Sequence, residues 1–457
     1  MFTLDDDDKV IVETARDFSD KRIAPGAREW DESQHFPKDV LREAAEMGMG
    51  AIYVSEDVGG SGMRRLDGVR IFEQLARGCP SVAAYLSIHN MCVWMIDEFG
   101  TDEQRREWIP QLASLEKFSS YCLTEPGAGS DAAALRTRAV KEGEGPDAEY
   151  VLTGTKQFIS GGGQSDVYLV MARTGEAGPK GISAFLVPAD SEGLSFGPDE
   201  RKMGWNAQPT AQVIMEGVRV PAANLIGGAD SGGEGLGFTI AMRGLNGGRI
   251  NIAACSLGGA REAYSRAVAH VRDREAFGGA LIDEPTIRFT LAELATQLEA
   301  SRLMLWRAAA ALDAQEPDHV ELCAMAKLFV TDRCSDIADR ALQLFGGYGY
   351  LSEYGIEKIV RDLRVHRILE GTNEINRELT VEQLLKRAMR GRLDLLGPAQ
   401  AAMAGEGAAP GQDRTGDLAH ARRALAGMKS AALLVAGTGA MAYRTGIESE
   451  QELMARV

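Results

Sequence analysis

The spacing of apolar residues along the chain changes character twice. Up to about residue 118, apolar positions recur every three or four residues, as at Ile11, Ala15 and Phe18. This period predicts helices with one buried face. Thr101 followed by Gln104 matches the capping box that begins a helix. The first part of the chain is therefore predicted to be helical.

Between Tyr150 and Pro221 the pattern consists of short runs rich in Val, Ile and aromatic residues. The runs 167–172, 182–188 and 211–221 are separated by glycine, proline and asparagine, which is typical of strands joined by tight turns. Because no helix-length pattern separates these runs, we expect an antiparallel sandwich or barrel rather than a parallel sheet.

After about residue 235 the helical period returns over longer stretches. Two apolar stripes follow each other, formed by Ile287, Leu291, Leu294, Leu298 and Leu305 and by Val320, Cys323, Val330, Cys334, Ile337, Ala341 and Leu344. Successive amphipathic helices of this length predict a helical bundle. A stretch rich in Gly, Ala and Pro at 397–416 is typical of a flexible linker. A last helix of about 25–30 residues is predicted to follow it and to dock on the body of the protein, with pairing to another subunit or contact with a membrane surface as the alternatives.

Together these patterns predict an α+β protein of several domains. The predicted parts are an N-terminal helical domain at 1–118, a middle β domain at 119–230 and a C-terminal four-helix bundle at 231–388. The linker and an extra C-terminal helix occupy 389–457.

Composition and charge narrow the class of protein. The net charge of −16 repels phosphate backbones, so nucleic acid is not an expected partner. No apolar run approaches about 18 uninterrupted residues, so stable membrane insertion is not expected either. The first residues, MFTLDDDDKV, lack the apolar core of a signal peptide. The six cysteines form no CxxC pair, which argues for buried reduced thiols and against a metal site or a disulfide framework.

Two glycine-containing segments could hold a planar ligand. In TEPGAGSD at 124–131, the glycines leave backbone N–H groups free to face an anion or a carbonyl. In KQFISGGG at 156–163, Phe158 and Ser160 alternate along a predicted strand and so share a face. A flat ring could stack on Phe158 while Ser160 donates a hydrogen bond to its edge. Taken alone, each segment is equally compatible with an ordinary turn.

Two further segments lie in the predicted bundle. In RILEGTNEINR, Gly371 permits a bend that can turn the carboxylate of Glu370 into a pocket. An apolar pocket raises the pKa of a carboxyl group and suits it to act as a general base. The alternative is an ion pair of Glu370 with Arg364 or Arg367 on the surface. QLFGGYGY at 343–350 suits close approach by a cofactor, or simply ends a helix.

In this order and spacing, YCLTEPGAGSD, KQFISGGG, QLFGGYGY and LEGTNEINR resemble signatures of the acyl-CoA dehydrogenase family. The resemblance extends from about residue 3 to about residue 388, roughly 85% of the chain. The segments AYLSIHNMCVWMIDEFG, PKGISAFLVP, MRGLNGGRINIAACSLGGA and ELCAMAKLF are most similar to members that act on short, branched acyl groups. The resemblance implies non-covalent FAD, an acyl-CoA thioester as substrate and α,β-desaturation. It also implies a homotetramer and an electron-transferring flavoprotein as the electron acceptor.

The resemblance also implies the residues of the site, and Glu370 is implied to be the catalytic base. Residues implied to bind FAD are Tyr121, Leu123, Thr124, Gly129, Ser130, Phe158, Ile159, Ser160, Arg274, Phe277, Gln343, Leu344, Gly346, Gly347, Thr372 and Glu374. Arg274 and 343–347 are implied to reach the FAD of a neighbouring subunit. Residues implied to bind substrate are Ser130, Asn246, Arg249 and Gly371. No metal is implied.

By the same resemblance, Glu370 removes the α-proton while a hydride leaves the β-carbon for the flavin. The thioester carbonyl is polarised by the Glu370 backbone N–H and a ribityl hydroxyl of FAD. Some relatives place the base on the helix that carries Gly248 in this chain, but no carboxylate lies there. Two departures, Glu275-Ala276 and Pro285, fall among the contacts expected for the adenine side of FAD.

The expected reaction is the conversion of isobutyryl-CoA to methacrylyl-CoA, a step of valine breakdown, in the cytoplasm of a bacterium. Alternatives are a dehydrogenase for 2-methylbutyryl-, butyryl- or longer acyl-CoA, an acyl-CoA oxidase, and a scaffold that has lost activity. Peroxide production would distinguish the oxidase, and a colourless purified protein would distinguish the scaffold.

Overall fold

In a computed structural model of the protein, the described residues are 4–229, 231–405, 418–443, 446 and 450–455. The helices are α1 (Asp6–Phe18), α2 (Ala27–Ser33), α3 (Lys38–Glu46), α4 (Arg65–Gly78), α5 (Pro80–Phe99), α6 (Asp102–Ala113), α7 (Gly237–Asp273), α8 (Pro285–Asp313), α9 (His319–Leu344), α10 (Ile356–Arg364), α11 (Asn373–Met389), α12 (Leu396–Met403), α13 (Ala419–Tyr443) and α14 (Gln451–Met454). The strands are β1 (Ser119–Cys122), β2 (Arg138–Glu142), β3 (Glu149–Ser160), β4 (Val167–Arg173), β5 (Ile182–Pro188), β6 (Leu194–Phe196), β7 (Thr210–Pro221), β8 (Glu275–Ala276) and β9 (Gly279–Ala280).

The predicted order of helices, then strands, then helices is confirmed. Among the first six helices, α4 and α5 pack on each other, α1 packs on α4 and α6 packs on α5. Both α4 and α5 are buried over most of their length. The capping box at the start of α6 forms as predicted, because the Thr101 side chain accepts a hydrogen bond from the Gln104 backbone N–H at 3.3 Å.

The middle strands form one seven-stranded sheet in the order β1-β4-β2-β3-β7-β6, with β5 paired to β4. The three predicted runs correspond to β4, β5 and β7, and most pairings are antiparallel, as expected. Two pairings depart from the antiparallel pattern, since β1 and β2 pair with β4 in parallel. The long connection from β1 through β2 and β3 to β4 permits this parallel pairing.

The predicted bundle is built from α7, α8, α9 and α11, which pack on one another. Most residues of the two predicted stripes are buried, including Leu294, Leu305, Cys323 and Ile337. The longest helix, α7, has 37 residues and contacts both the N-terminal helices and the sheet. It approaches α4 very closely at Gly258, where an added Cβ would lie 2.2 Å from the Glu73 carbonyl oxygen. Only glycine fits there.

The C-terminal tail differs from its prediction. Part of the predicted linker is the helix α12, and 406–417 lie outside the described residues. The long tail helix, α13, packs mainly on α12 rather than docking on the body. Among the helices of the described residues, α13 alone has the length and hydropathy to cross a membrane, with 25 residues, a mean hydropathy of 1.3 and 11% of its apolar window buried. An uninterrupted apolar run does not mark this helix in the sequence, because glycine, threonine and Lys429 interrupt its apolar residues.

All six cysteines are buried free thiols, as expected. Burial raises the pKa of the Cys92 thiol to about 12, so thiolate chemistry is not available there near neutral pH. Within the described ranges, no group of three His, Cys, Asp or Glu side chains is placed to hold a metal ion.

Candidate active site

Glu370 lies in a sharp turn between α10 and α11. Its φ of 57° and the φ of 76° at Gly371 place two successive residues in the left-handed region. A glutamate in this conformation costs about 1–3 kcal/mol, which the surrounding structure must offset. Thr372 then begins α11 as its N-cap, since its side chain accepts a hydrogen bond from the Ile375 backbone N–H. The turn places the Glu370 side chain against α7.

Two side chains that the sequence analysis missed hold this turn. Asn376 donates from Nδ2 to the Gly371 carbonyl at 2.7 Å and to the Thr372 carbonyl at 3.1 Å. Lys327, fully buried on α9, donates from Nζ to the Gly371 carbonyl and to Asn373 Oδ1, both at 2.8 Å. A lysine inside an apolar helical stripe is the signal that could have revealed this role, because a buried ammonium needs partners.

The side chain of Glu370 is half-buried, and one of its carboxyl oxygens is shielded from solvent. Its Oε2 atom is buried and has no hydrogen-bond partner among the residues that the structure describes. Burial raises the pKa of Glu370 to about 7, although Arg249 and Lys327 act in the opposite direction. The alternative of a surface ion pair is wrong, because Arg367 pairs instead with Asp332 at 2.7 Å. The carboxyl group is thus poised to exchange a proton near neutral pH.

The carboxyl group of Glu370 faces α7 at Gly248. A Cβ at that position would lie 2.6 Å from Oε2 and 2.8 Å from Cδ. Arg249 donates from Nε to the Glu370 carbonyl at 3.4 Å and from Nη1 to Asn246 Oδ1 at 2.8 Å. Arg249 and Asn246, expected to bind substrate, therefore also support the backbone of the base.

The two predicted flavin segments lie side by side. Lys156, fully buried, donates from Nζ to Glu125 Oε1 at 2.8 Å and to the Leu123 carbonyl at 3.1 Å. The Gln157 backbone N–H donates to the Thr124 carbonyl at 2.8 Å. Through these bonds the turn after β1 and the end of β3 form one surface.

Most predicted residues on this surface are accessible to a ligand. Thr124 and Ser160 are half-buried, Gly129 and Ser130 are exposed, and Leu123 and Ile159 are buried beneath them. A Cβ built on Gly127 or Gly129 meets nothing within 4 Å. The surface is therefore open along the glycine turn.

Two aromatic residues of this surface have unusual surroundings, and one of them lies near the base. Phe158 is 64% exposed and has a φ of 59°, at a point where the pairing register of β3 with β7 shifts. The Tyr121 hydroxyl is buried without a described partner. Burial, with the nearby Glu370 carboxylate, raises the pKa of Tyr121 well above its usual value. Tyr121 thus lies between the flavin segments and the base.

The remaining predicted cofactor residues fall into two groups. Thr372 and the exposed Glu374 begin α11, next to the base. Arg274, Phe277, Gln343, Leu344, Gly346 and Gly347 lie at the far ends of α7 and α9. The Arg274 guanidinium lies 5.6 Å from the Tyr348 ring, and Phe277 is 96% exposed. Because about 26 residues of α7 separate Arg274 from Gly248, Arg274 lies roughly 39 Å from the base. By the same rise, about 16 residues of α9 place Gln343 roughly 24 Å from Lys327, which contacts the turn of the base.

Replacing Lys156 with methionine is expected to destabilise the protein by about 3–5 kcal/mol, because Glu125 would keep a buried charge without its cation. The turn that carries Gly129 should loosen as well, since Glu125 accepts hydrogen bonds from the Arg136 and Thr137 backbone N–H groups. Thermal unfolding and bound-flavin content measure the two effects. Lys141→Met, at an exposed position on β2, is the control, and equal behaviour of both variants would contradict the assigned role.

The sequence matches three family models in chain order: "Acyl-CoA dehydrogenase, N-terminal domain" at residues 5–116, "middle domain" at 120–218 and "C-terminal domain" at 235–385. The chain belongs to the acyl-CoA dehydrogenase family and is an oxidoreductase.

Within that family it is similar to isobutyryl-CoA dehydrogenases. It is 53% identical to the mitochondrial enzyme of Dictyostelium discoideum and 51% identical to that of Bos taurus, in each case over 84% of this chain and 90% of the relative. An acyl-CoA dehydrogenase of Bacillus anthracis complexed with FAD superposes with a TM-score of 0.90 at 31% identity, over 99% of this chain and 79% of the other.

Proposed function

We propose that the protein is an FAD-dependent dehydrogenase of short, branched acyl-CoA thioesters, with isobutyryl-CoA as the preferred substrate and methacrylyl-CoA as the product. The observation that carries this proposal is the Glu370 carboxyl group, whose buried Oε2 atom has no described hydrogen-bond partner and which lies close enough to Tyr121 of the first flavin segment to add to the effect of burial in raising the pKa of that residue. The isobutyryl-CoA dehydrogenases at about half identity support the choice of acyl group.

The residues present fit FAD. The open turn at Gly127 and Gly129 offers backbone N–H groups, and the exposed ring of Phe158 offers a face for stacking. The buried, unpartnered hydroxyl of Tyr121 marks a polar position that a ligand could satisfy. When bound, FAD supplies the acceptor for the hydride that leaves the β-carbon of the acyl group.

The chain itself supplies a base, its orientation and a dry environment. Glu370 takes the α-proton of the thioester, and its raised pKa suits it to hold that proton near neutral pH. Lys327, Asn376 and Arg249 fix the backbone around it, so that little reorganisation is needed. The backbone N–H of Glu370 is proposed to bind the thioester carbonyl.

Two or more copies of the chain are proposed to form each cofactor site, within a homotetramer. Arg274 in the second group of cofactor residues lies too far along α7 for one FAD to contact both it and the base of the same chain. The almost fully exposed Phe277 suits a contact with another subunit.

The proposal also includes an electron acceptor and a location in the cell. An electron-transferring flavoprotein is proposed to reoxidise the flavin, as the family resemblance implies. A bacterial cytoplasm is proposed as the location, whereas the isobutyryl-CoA dehydrogenases of Dictyostelium discoideum and Bos taurus are mitochondrial by name.

The visible spectrum of the purified protein tests the cofactor, and anaerobic titration tests the reaction. Isobutyryl-CoA is expected to bleach the flavin band more effectively than 2-methylbutyryl-, butyryl- or octanoyl-CoA. A flavin that none of the four thioesters bleaches would overturn the proposed function. Rapid peroxide formation with substrate in air, without an acceptor protein, would favour an oxidase.

The pH dependence of turnover reports on Glu370. Since the ionised carboxylate is the competent base and its pKa is about 7, kcat/KM is expected to rise with pH through neutrality and then level off. The raised pKa also means that the folded state loses stability as pH rises from about 4.5 to 7. A kcat/KM that stays flat from pH 5.5 to 8.5 would contradict this assignment.

A further inference from the structure

Arg65 is a buried cation close to the base that neither the mechanism nor the family resemblance uses. It begins α4 and is 7% exposed. Its guanidinium carbon lies 3.7 Å from the centre of the Tyr53 ring and 4.4 Å from that of Trp94. The planar group is therefore held between two aromatic rings.

The backbone of Arg65 is fixed from another domain of the fold. Asp313, at the end of α8, accepts hydrogen bonds from the backbone N–H groups of Arg65 at 2.7 Å and Leu66 at 3.1 Å. The Tyr53 hydroxyl accepts a hydrogen bond from Asn251 of α7 at 2.8 Å. Stacking and these bonds together leave the guanidinium little freedom to move.

The guanidinium and the catalytic carboxylate face neighbouring positions of α7. Arg65 Nη1 lies 2.6 Å from the position that a Cβ on Gly247 would occupy. Glu370 Oε2 lies 2.6 Å from the position that a Cβ on Gly248 would occupy. In the part of the chain that the structure describes, both atoms are buried and neither has a hydrogen-bond partner. No ion pair within 4.0 Å joins the two side chains there, although their charges are opposite.

Arg65 Nη1 is thus a buried donor and Glu370 Oε2 a buried acceptor, and they lie beside neighbouring residues of α7 without bonding to each other. Buried polar atoms normally have partners, so a bound ligand could lie between them. An acyl group whose α-carbon contacts Glu370 and that extends along α7 past Gly247 would meet the guanidinium of Arg65. Helix α5 links the two groups, because Trp94 contacts the guanidinium and the Cys92 thiol interacts electrostatically with the Glu370 carboxylate.

We propose that Arg65 closes the far end of the acyl pocket and is a specificity-determining residue that restricts the substrate to short acyl groups. This inference rests on the proposed function. The stacked guanidinium is rigid, so each additional methylene must displace it or leave the pocket. Discrimination of about 10–200-fold per methylene is expected from such a boundary.

The test compares kcat/KM for isobutyryl-CoA and hexanoyl-CoA in the wild type and in Arg65→Ala, both loaded with FAD. The kcat/KM for hexanoyl-CoA divided by the kcat/KM for isobutyryl-CoA is expected to rise at least about tenfold in the variant. The pH profile should keep its midpoint, because burial, Arg249 and Lys327 set the pKa of Glu370. If Arg65→Ala does not fold, Arg65→Met keeps the stem, removes the planar group and should shift the ratio in the same direction.

Arg70→Met is the matched control. Arg70 lies on the same helix, is 2% exposed and stacks 4.9 Å from the Trp306 ring, but it pairs with Asp8 away from the base. In Arg70→Met, the ratio of kcat/KM for hexanoyl-CoA to kcat/KM for isobutyryl-CoA should stay within about twofold of the wild-type value. An unchanged ratio in a folded, flavin-containing Arg65 variant overturns the inference alone. Failure of every acyl-CoA to reduce the wild-type flavin overturns the proposed function instead. Faster wild-type reduction by glutaryl-CoA than by isobutyryl-CoA also overturns the inference, since Arg65 would then bind a carboxylate.

Discussion

Replacing Glu370 with glutamine is expected to lower kcat by about 10²–10⁴-fold while the protein still folds and binds FAD. Glutamine has nearly the same shape and can adopt the same left-handed turn, but it cannot accept the α-proton. Folding is not expected to suffer, because the variant removes a carboxyl group whose ionised form burial disfavours. Stopped-flow reduction of the flavin by isobutyryl-CoA measures the effect.

Glu353→Gln is the control for this variant. Glu353 is exposed in the same C-terminal region, so the same chemical change there should leave flavin reduction unaltered. If Glu370→Gln reduces its flavin at a rate near that of the wild type, Glu370 is not the base.

Replacing Gly248 with alanine is expected to lower kcat by about 10²-fold, because a displacement of about 1 Å at the reacting groups costs this much. The new methyl group would lie 2.6 Å from Glu370 Oε2, closer than two non-bonded atoms can approach, so the carboxylate must move. The backbone of α7 should persist, since alanine favours a helix over glycine. Flavin reduction, circular dichroism and flavin content separate these effects.

A double variant shows whether Gly248→Ala acts through the base. In the Glu370→Gln background, the added methyl group should cost little further activity, since no base remains to be displaced. Gly427→Ala, at a helical glycine of α13 with nothing within 4 Å of the added Cβ, is the control for the substitution itself. Additive losses in the double variant would show that Gly248 acts elsewhere.

The general fold follows from local pattern in most of the chain. Periods of three to four residues and of two mark the helices and three of the strands. The parallel pairing of β1 with β4 could not be predicted from the sequence. A strand of four residues shows no clear alternation, and its partner lies far along the sequence. The helix α7 also shows little helical periodicity of apolar residues. Several of its positions are glycine because a neighbouring element approaches closely, as α4 does at Gly258.

The candidate site was predictable only where its residues belong to short motifs. The turn at Glu370 follows from the glycine after it, and its left-handed backbone agrees with that reasoning. Lys327 and Arg65 could not be placed, because their roles depend on burial and on partners from distant helices. The spacing of residues along the sequence does not show that Arg65 contacts the ring of Tyr53 or that Lys327 donates to the Gly371 carbonyl.

The length of α7 has a consequence for how tightly the flavin is held. One end of this helix faces the base, and the other carries Arg274, which is proposed to serve a second copy of the chain. Dilution that separates the copies would then remove part of each binding site, so flavin release and dissociation of the assembly would be linked by mass action. Added flavin should, for the same reason, hold the copies together at concentrations where the empty protein falls apart.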